Sequence, residues 1–220
     1  MSQSQPLTIE IVSDVVCPWC FIGLRRLDLA LEAVRRRHPD FQCIKRWRPF
    51  FLNPSTSPDG EPYLPHLVKK FGGPERVQAA FQHVRDAGAA YGLDYRFEDI
   101  KVLANTFQAH RLIHWAQQSG DAQILVERLL VGQFQRGENL GDKAVLANIA
   151  VECGYSKDAV VEYLDSDEDN QFVREQERES KAWGATAVPT FVVGRKLMVA
   201  GAEDPMLLAG AIEQVLAKDS

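Results

Sequence analysis

A long stretch of helical periodicity separates two β-containing ends of this 220-residue chain. At the first end, LTIEIV (7–12) alternates as a strand does, an amphipathic helix follows from about Leu24, and residues 41–52 predict a second strand. At the other end, residues 190–201 predict a hairpin and residues 205–216 a helix. Because the two ends are complementary parts of one layer, the sequence predicts an α/β fold, β-α-β and later β-β-α, with a large all-helical insertion.

The middle of the chain is read as a domain inserted into that layer. The predicted layer is discontinuous and comprises residues 1–60 and 185–220, and the insertion comprises residues 61–184. A proline-rich loop is expected at 53–65. The apolar residues then recur with the helical period, and Gly, Asp and Ser residues mark helix ends and N-caps. Together they predict helices near 74–91, 104–118, 121–136, 142–153, 157–164 and 168–183.

Composition narrows the class of function. A net charge of -5 argues against a nucleic-acid surface. The N-terminal segment lacks the basic and apolar regions of a signal peptide, and no apolar run is long enough to span a membrane. We therefore expect a cytoplasmic protein with neither nucleic acid nor membrane as a partner. In a reducing compartment a close cysteine pair is catalytic or metal-binding rather than a permanent disulfide.

One such pair, Cys17-Pro18-Trp19-Cys20, lies between the first strand and the first helix. A C-x-x-C in this position is typical of a thioredoxin-like redox motif. Proline suits the first helical position, so Pro18 places Cys17 at the N-cap, where the free amides of Trp19 and Cys20 favour an anionic sulfur. Cys17 is therefore the predicted nucleophile. Cys20, one turn further in and less exposed, is the predicted resolving thiol.

The other cysteines do not form a second pair. Neither Cys43 nor Cys153 has a cysteine or histidine at zinc-knuckle spacing, so we predict no metal site and expect both thiols to lie in the core. His110 and His114 share one helix face and offer a metal-binding alternative, although the HExxH pattern is absent.

Two polar residues keep two interpretations each. Asp14, three residues before Cys17, either forms a turn, which is the favoured interpretation, or relays protons. Asn105 is either a helix cap or satisfied core amide, or part of a site.

Four strings in the same order resemble the DsbA-like thioredoxin family, in its FrnE-type branch of cytoplasmic dithiol-disulfide isomerases. They are SDVVCPWCFIG (13–23), FLNP (51–54), NT with AHRL (105–106 and 109–112), and VPTFV (188–192). The resemblance implies a thioredoxin fold interrupted by a helical domain. It also implies that Pro189 is cis, that its loop faces the cysteines, and that the backbone of Val188 pairs with an extended substrate.

These residues predict a thiol-disulfide oxidoreductase or disulfide isomerase. The predicted catalytic residues are Cys17 and Cys20. The predicted substrate-binding residues are Pro18, Trp19, Val188, Pro189 and Asn53. We expect no metal or organic cofactor beyond the Cys17/Cys20 disulfide. The expected partners are protein or small-molecule disulfides and dithiols, with glutathione as a potential co-substrate, and the protein is expected to be a monomer or a homodimer.

Two other classes of function remain open. Kappa-class glutathione transferases and hydroxychromene-carboxylate isomerases resemble the chain in fold and near Asn53, but carry serine where Cys17 stands. A glutathione-dependent isomerase or transferase is therefore the first alternative. A binding module, whose helical insertion holds unfolded chains in the manner of a chaperone, is the second.

Overall fold

The computed structural model describes residues 5–219 and has a four-stranded sheet at its centre. The strands are β1 (Leu7–Ser13), β2 (Cys43–Pro49), β3 (Glu61–Pro62), β4 (Val102–Leu103), β5 (Thr190–Val193) and β6 (Leu197–Ala200). The helices are α1 (Pro18–Arg37), α2 (Tyr63–Phe71), α3 (Pro74–Ala89), α4 (Phe107–Ser119), α5 (Gln123–Gln135), α6 (Lys143–Glu152), α7 (Lys157–Asp165), α8 (Asn170–Ala182) and α9 (Pro205–Asp219).

The central sheet has the strand order β2-β1-β5-β6. β1 runs parallel to β2 and antiparallel to β5, which pairs with β6 in a hairpin. Gly194 and Arg195 are the central residues of the β-turn between the strands and both have positive φ, 55° and 56°, with the Lys196 amide donating to the Val193 carbonyl at 3.0 Å. The predicted β-α-β and β-β-α halves are thus confirmed as parts of one sheet.

The alternation in β1 divides the two faces of the sheet. Ile9 and Ile11 are buried in the main core, and the core residues of α1 and α9 belong to the same cluster. Glu10 lies on the opposite face, where its carboxylate accepts bonds at 2.7 and 2.9 Å from the buried guanidinium of Arg48. The chain passes from the C-terminal end of β1, an inner strand of the sheet, through a short turn into the N-terminus of α1.

Six helices of the insertion begin and end within three residues of their predicted positions. Asp142 shows why, because its carboxylate accepts bonds from the amides of Ala144 and Val145 and so fixes the start of α6. The helix α2 begins inside the predicted proline-rich loop. Pro65 lies in the first turn of α2, where its missing N–H leaves no helical bond unmade.

The insertion is helical except for one short strand pair and one 3-10 turn. Glu61 and Pro62 of β3 pair with Leu103 and Val102 of β4. Two-residue strands are too short to produce a period in the sequence. The domain boundaries at 60/61 and 184/185 stay predictions.

The insertion and the layer share one hydrophobic core. Its insertion side contains packed aromatic rings: Phe81 lies on Phe97 at 4.2 Å between ring centres, and Tyr95 lies on Phe97 at 5.3 Å. Tyr95 also meets Phe21 of α1 edge-on at 6.3 Å. This stack brings the insertion against the helix that carries the cysteines. No helix in the described part of the chain is long and apolar enough to cross a membrane.

Candidate active site

The first cysteine lies at the N-terminus of α1, as its sequence context predicts. Cys17 has extended backbone angles (φ -95°, ψ 110°) at the N-cap, and Pro18 is the first helical residue. The Cys17 amide donates to the carbonyl of Asp14 at 3.0 Å, and the Cys20 amide donates to the carbonyl of Cys17 at 3.0 Å. A tight turn therefore leads from β1 into the helix and places both sulfurs at its first turn.

The Cys17 sulfur differs from expectation in its bonding. No amide of the helix binds its side chain. Instead, Cys17 Sγ lies 3.7 Å from the carbonyl oxygen of Val188, in the geometry of a thiol that donates. A thiolate has no proton to donate, so ionisation removes this contact.

Both thiols are reduced and almost fully covered. Cys17 is 4% exposed and Cys20 is 5% exposed. The predicted difference in exposure between the two thiols is absent, because the loop before β5 also covers Cys17. Attack on an external disulfide therefore requires that the substrate displace part of this cover.

The Cys20 thiol is disfavoured as an anion. Burial is the largest influence and raises its pKa well above the usual value. The neighbouring Cys17 sulfur and the charge of Asp14 raise it further, while a backbone hydrogen bond from Asp14 acts in the opposite direction. Cys20 is thus a protonated thiol at neutral pH in the reduced form.

The loop that covers Cys17 contains a cis peptide bond between Val188 and Pro189, as the family resemblance implies. The carbonyl of Pro189 accepts a bond from the Gly201 amide at 2.7 Å, which ties the loop to the end of β6. The ring of Pro189 also approaches α1 at Gly23, where an added Cβ would lie 2.7 Å from Pro189 Cγ. Gly23 therefore permits the close approach of the loop to the cysteine helix.

The residues assigned to the substrate rim lie in the first turn of α1 and in two loops. Trp19 is half-buried, with its ring 5.3 Å from the ring of His83 on α3. Asn53 Oδ1 lies 3.4 Å from Lys70 Nζ of α2. Its neighbour Leu52 packs with Val188 in one small apolar cluster, so the loop that carries Asn53 meets the loop before β5.

Asp14 has a larger structural role than a turn residue. Its side chain is buried, with 1% of the residue exposed, and its Oδ2 accepts a bond from the Leu52 amide at 2.9 Å. Its Oδ1 lies 3.3 Å from His110 Nε2 on α4. The favoured interpretation as a turn holds for the backbone, and the side chain adds a buried pair with a histidine.

The two histidines of α4 have separate partners. His110 faces Asp14, whereas His114 lies 3.6 Å from Asp169 Oδ2, with its ring tilted against the ring of Phe172. Burial lowers the pKa of His114, and the Asp169 charge partly offsets this effect. In the range 5–219 there is no group of three or more His, Cys, Asp and Glu side chains placed to hold a metal ion.

Asn105 is a satisfied amide beside the start of α4. Its Oδ1 accepts a bond from the Phe107 amide at 3.1 Å, and its Nδ2 donates to the Thr56 carbonyl at 2.8 Å. These bonds support the first of its two interpretations.

Tyr95 is a contact of the cysteine motif that local patterns in the sequence do not reveal. Its hydroxyl donates to the carbonyl of Pro18 at 2.7 Å across 77 residues of sequence. Burial raises the pKa of Tyr95, with the two cysteine sulfurs as further causes. A buried tyrosine needs a partner for its hydroxyl, which is the only signal that the sequence offers.

The remaining cysteines are half-buried and pack against the core. Burial raises the pKa of the Cys43 thiol to about 11, and it also raises the pKa of Cys153. Neither thiol is paired in a disulfide.

Residues 8–213 match the model of the DSBA-like thioredoxin domain. The chain belongs to the DsbA-like thioredoxin family. The crystal structure of a probable DsbA oxidoreductase from Streptomyces coelicolor is similar, with 32% identity and a TM-score of 0.87, over 96% of this chain and 90% of that one. The uncharacterised protein YwbO of Bacillus subtilis is 26% identical over 84% of this chain and 86% of its own. This DsbA-like protein is thus a thiol-disulfide oxidoreductase.

Two further structures share the fold of this DsbA-like protein at low identity. The cytosolic disulfide reductase DsbM from Pseudomonas aeruginosa is 17% identical, with a TM-score of 0.66 over 96% of this chain and 99% of that one. A 2-hydroxychromene-2-carboxylate isomerase is 13% identical, with a TM-score of 0.65 over 96% and 97%. The interrupted thioredoxin fold therefore occurs in proteins described as a disulfide reductase and as an isomerase.

Proposed function

We propose that this protein is a cytoplasmic dithiol-disulfide oxidoreductase and disulfide isomerase of the FrnE-type branch that its motifs resemble. The observation that carries the proposal is the position of Cys17 at the N-cap of α1, with Cys20 one turn further in. The Val188 carbonyl lies 3.7 Å from the Cys17 sulfur. The helix N-terminus favours a sulfur anion, which is the attacking species in thiol exchange.

The proposed reaction consists of two exchanges. The Cys17 thiolate attacks one sulfur of a substrate disulfide, the S–S bond breaks, and the departing sulfur takes up a proton. Cys20 then loses its proton and attacks Cys17 Sγ, so that the Cys17/Cys20 disulfide forms and the second substrate sulfur leaves. The substrate gains two electrons and, once its second sulfur takes up the proton released by Cys20, two protons. The enzyme loses two electrons, the proton that Cys17 releases on ionising and the proton of Cys20. The reverse sequence oxidises a dithiol.

Substrate binding is proposed to use the backbone of Val188. Val188 is half-buried and its carbonyl contacts only the Cys17 thiol among the described hydrogen bonds. An extended segment that pairs with this backbone would bind with little dependence on its sequence. Pro18, Trp19, Pro189 and Asn53 complete the proposed rim.

Protein disulfides and small disulfides are the proposed substrates, and glutathione is the proposed co-substrate. A structure of DsbM with GSH, at 16% identity and a TM-score of 0.64, supports glutathione only through the shared fold. The proposed exchange uses the Cys17/Cys20 disulfide and needs no metal or organic cofactor. The reaction is the same for a monomer and for a homodimer.

Insulin reduction coupled to glutathione tests this function. Cys17→Ser should reduce the rate to background, whereas Cys20→Ser should accumulate a mixed disulfide at Cys17 that mass spectrometry detects. Cys153→Ser is the matched control, because Cys153 is a free, half-buried thiol elsewhere in the chain. A wild-type protein without exchange activity, or a Cys17→Ser variant that keeps it, would contradict the proposal.

The glutathione-dependent isomerase remains the second candidate because a hydroxychromene-carboxylate isomerase shares the fold. A serine hydroxyl can hydrogen-bond a glutathione thiolate, whereas a cysteine forms a disulfide with it. Isomerisation of a chromene acid by Cys17→Ser, in a protein whose wild type does not reduce insulin, would support this candidate instead. The chaperone-like alternative predicts that Cys17→Ala/Cys20→Ala suppresses aggregation as well as wild type does.

A further inference from the structure

A large groove lies on the face of the central sheet that points away from the cysteine helix. In β1, Ile9 belongs to the core shared with α1, whereas Thr8 and Glu10 point to the opposite face and line the groove. The groove has a volume of about 1780 Å³, and neither Cys17 nor Cys20 lines it. It is therefore separate from the candidate active site.

The shape of the groove suits an elongated ligand. Helices α4 and α8 pack against β2 and form one wall, and the turn between β5 and β6 lines the other side. Leu7 and Ser13, at the two ends of β1, both line the groove, so it follows this strand for about 20 Å. Its volume exceeds the roughly 300–1,000 Å³ of pockets that hold small molecules. An extended polypeptide segment fits a groove of this length.

The groove is basic, although the protein as a whole is acidic. Five basic and three acidic residues line it, whereas the whole chain has a net charge of -5. Two of the acidic side chains are already paired with basic ones. Glu10 binds Arg48 at 2.7 Å. Glu213 binds Arg37 at 2.8 Å. The remaining excess of positive charge favours an anionic ligand on this face of the sheet.

Arg46 is a basic side chain that the fold leaves available to a ligand. It stands opposite Glu10 in the register of β1 and β2, and so points to the same face of the sheet. Arg46 is exposed, and within residues 5–219 it forms no hydrogen bond or ion pair. Arg195 approaches Glu10 Oε1 from the hairpin turn at 3.4 Å, with 69% of its side chain exposed. Two guanidinium groups thus flank the middle of the groove.

We propose that this groove binds an acidic segment of a partner polypeptide in an extended conformation. Carboxylates of the segment pair with Arg46 and Arg195. The exposed amides of Gln42 and Gln118, which also line the groove, bind its peptide groups, because a side-chain amide both donates and accepts. Nucleic acid fits less well, because it binds through many phosphate contacts and the floor contains the Glu10 carboxylate. The inference goes beyond the proposed function, since neither cysteine takes part.

Fluorescence anisotropy with a labelled peptide of alternating glutamate and serine tests the proposal. A peptide of about seven residues spans the groove when extended. It contains no cysteine, so it cannot exchange with Cys17. The peptide should bind the wild-type protein, and added salt should weaken binding because the charges are exposed. The same peptide with lysine in place of glutamate should not bind, although general attraction to an acidic protein would favour it.

Charge reversal in the groove identifies the residues that bind. Arg46→Glu should weaken binding at least about fivefold, because it replaces an attraction with a repulsion at an exposed site. Arg195→Gln removes one exposed charge and should weaken binding about twofold to fivefold. Arg76→Glu is the matched control, since Arg76 is exposed on α3, outside the groove, and the change in net charge equals that of Arg46→Glu. It should bind within about twofold of wild type.

Reduction of hydroxyethyl disulfide, which is small and uncharged, is the second measurement. Its rate should be unchanged in Arg46→Glu, because this residue lies outside the cysteine site. An unchanged rate together with weakened peptide binding supports a separate docking groove. Equal losses of both in Arg46→Glu would indicate a change of the whole fold and would overturn the assignment of Arg46.

The remaining outcomes decide between occupants of the groove. Absence of binding of the glutamate peptide to the wild-type protein overturns the proposal, as do equal losses in Arg46→Glu and Arg76→Glu. Displacement of the peptide by free glutamate at the same concentration of carboxylate would indicate a small-anion site instead. Tighter binding of a single-stranded oligonucleotide of equal charge would indicate nucleic acid. Self-association that Arg46→Glu abolishes would assign the groove to a second copy of this chain. None of these binding measurements depends on thiol exchange.

Discussion

Buried charged and polar groups are used differently in the layer and in the insertion. In the layer, both thiols lie at the first turn of α1, where a single proton or disulfide bond changes their state. In the insertion, the fully buried guanidinium of Arg111 donates to the carbonyls of Tyr163, Ser166 and Glu168. The protonation state of these groups does not change during the reaction. The layer thus carries the cysteine pair, and the insertion contains a buried cation that holds its own helices together.

Removal of Arg111 should have the largest effect on stability and the smallest on chemistry. Arg111→Met removes the charged donor of the Ser166 and Glu168 carbonyls, whereas the Tyr163 carbonyl keeps the Ser166 amide and hydroxyl. Because a hydrogen bond to a charged group contributes about 1.5–3 kcal/mol, unfolding should be easier by about 3–5 kcal/mol in urea denaturation. The folded fraction should keep its exchange rate. Arg174→Met is the control, since Arg174 is exposed over the ring of Phe107 and should cost less than about 1 kcal/mol. Loss of exchange activity in folded Arg111→Met would contradict the view that Arg111 contributes to stability and not to the reaction.

Gly23→Ala should change both the stability of the protein and the reactivity of Cys17, because Gly23 lies where α1 contacts the loop that covers Cys17. The new methyl group would lie 2.7 Å from the ring of Pro189, so α1 and the loop before β5 must separate. We expect a cost of about 1–3 kcal/mol and faster alkylation of Cys17 by iodoacetamide. Gly210→Ala, in α9 with nothing within 4 Å of its new Cβ, should be neutral or stabilising. Unchanged alkylation in Gly23→Ala would show that Pro189 does not control access.

Tyr95→Phe should have an intermediate effect that spans both regions. It removes the hydroxyl that donates to Pro18 and keeps the ring in its aromatic stack. The expected cost is about 1–2 kcal/mol, with a change in exchange rate of less than about tenfold. Tyr95→Leu is the comparison that also removes the ring, and it should cost more. Equal denaturation midpoints for the two variants would assign the whole contribution to the hydroxyl.

A small effect on exchange is also expected at Cys43, a thiol of the layer outside the site. Its folded pKa of about 11 exceeds the ordinary value of 9.0, mainly through burial, so the neutral thiol stabilises the fold below pH 9 and this contribution is lost as the pH rises through 11. Cys43→Ala should change the exchange rate less than about twofold. Mass spectrometry of alkylated wild type should show modification of Cys43 rising between these pH values. Rapid modification at neutral pH would contradict the burial of this thiol.

Sequence patterns predict the parts of this molecule whose causes are local. Pro18 after Cys17 determines the start of α1, and Asp142 determines the start of α6, so the cap position and the helix follow from a few adjacent residues. The family resemblance adds the cis bond at Pro189. The two-residue strands of the insertion have no detectable period.

Contacts between distant residues are the part of the site that the sequence does not predict. Tyr95 and Pro18 are 77 residues apart, and Asp14 and His110 are 96 residues apart. The burial of Cys17 depends on a loop that is remote in sequence, which is why the predicted difference in exposure between the two thiols is absent. Such contacts follow from how α4 and the aromatic stack pack against the layer. Packing between distant segments cannot be detected in a short stretch of sequence.

The contact between Cys17 and Val188 also has a consequence for synthesis on the ribosome. The two residues are 171 positions apart. At about 5–20 residues per second, the ribosome needs roughly 10 to 30 s to reach Val188 after it has added Cys17. During that time the nascent chain already contains both thiols but not the loop that covers them. The dithiol is therefore open to cellular oxidants before the folded enzyme can restrict its access.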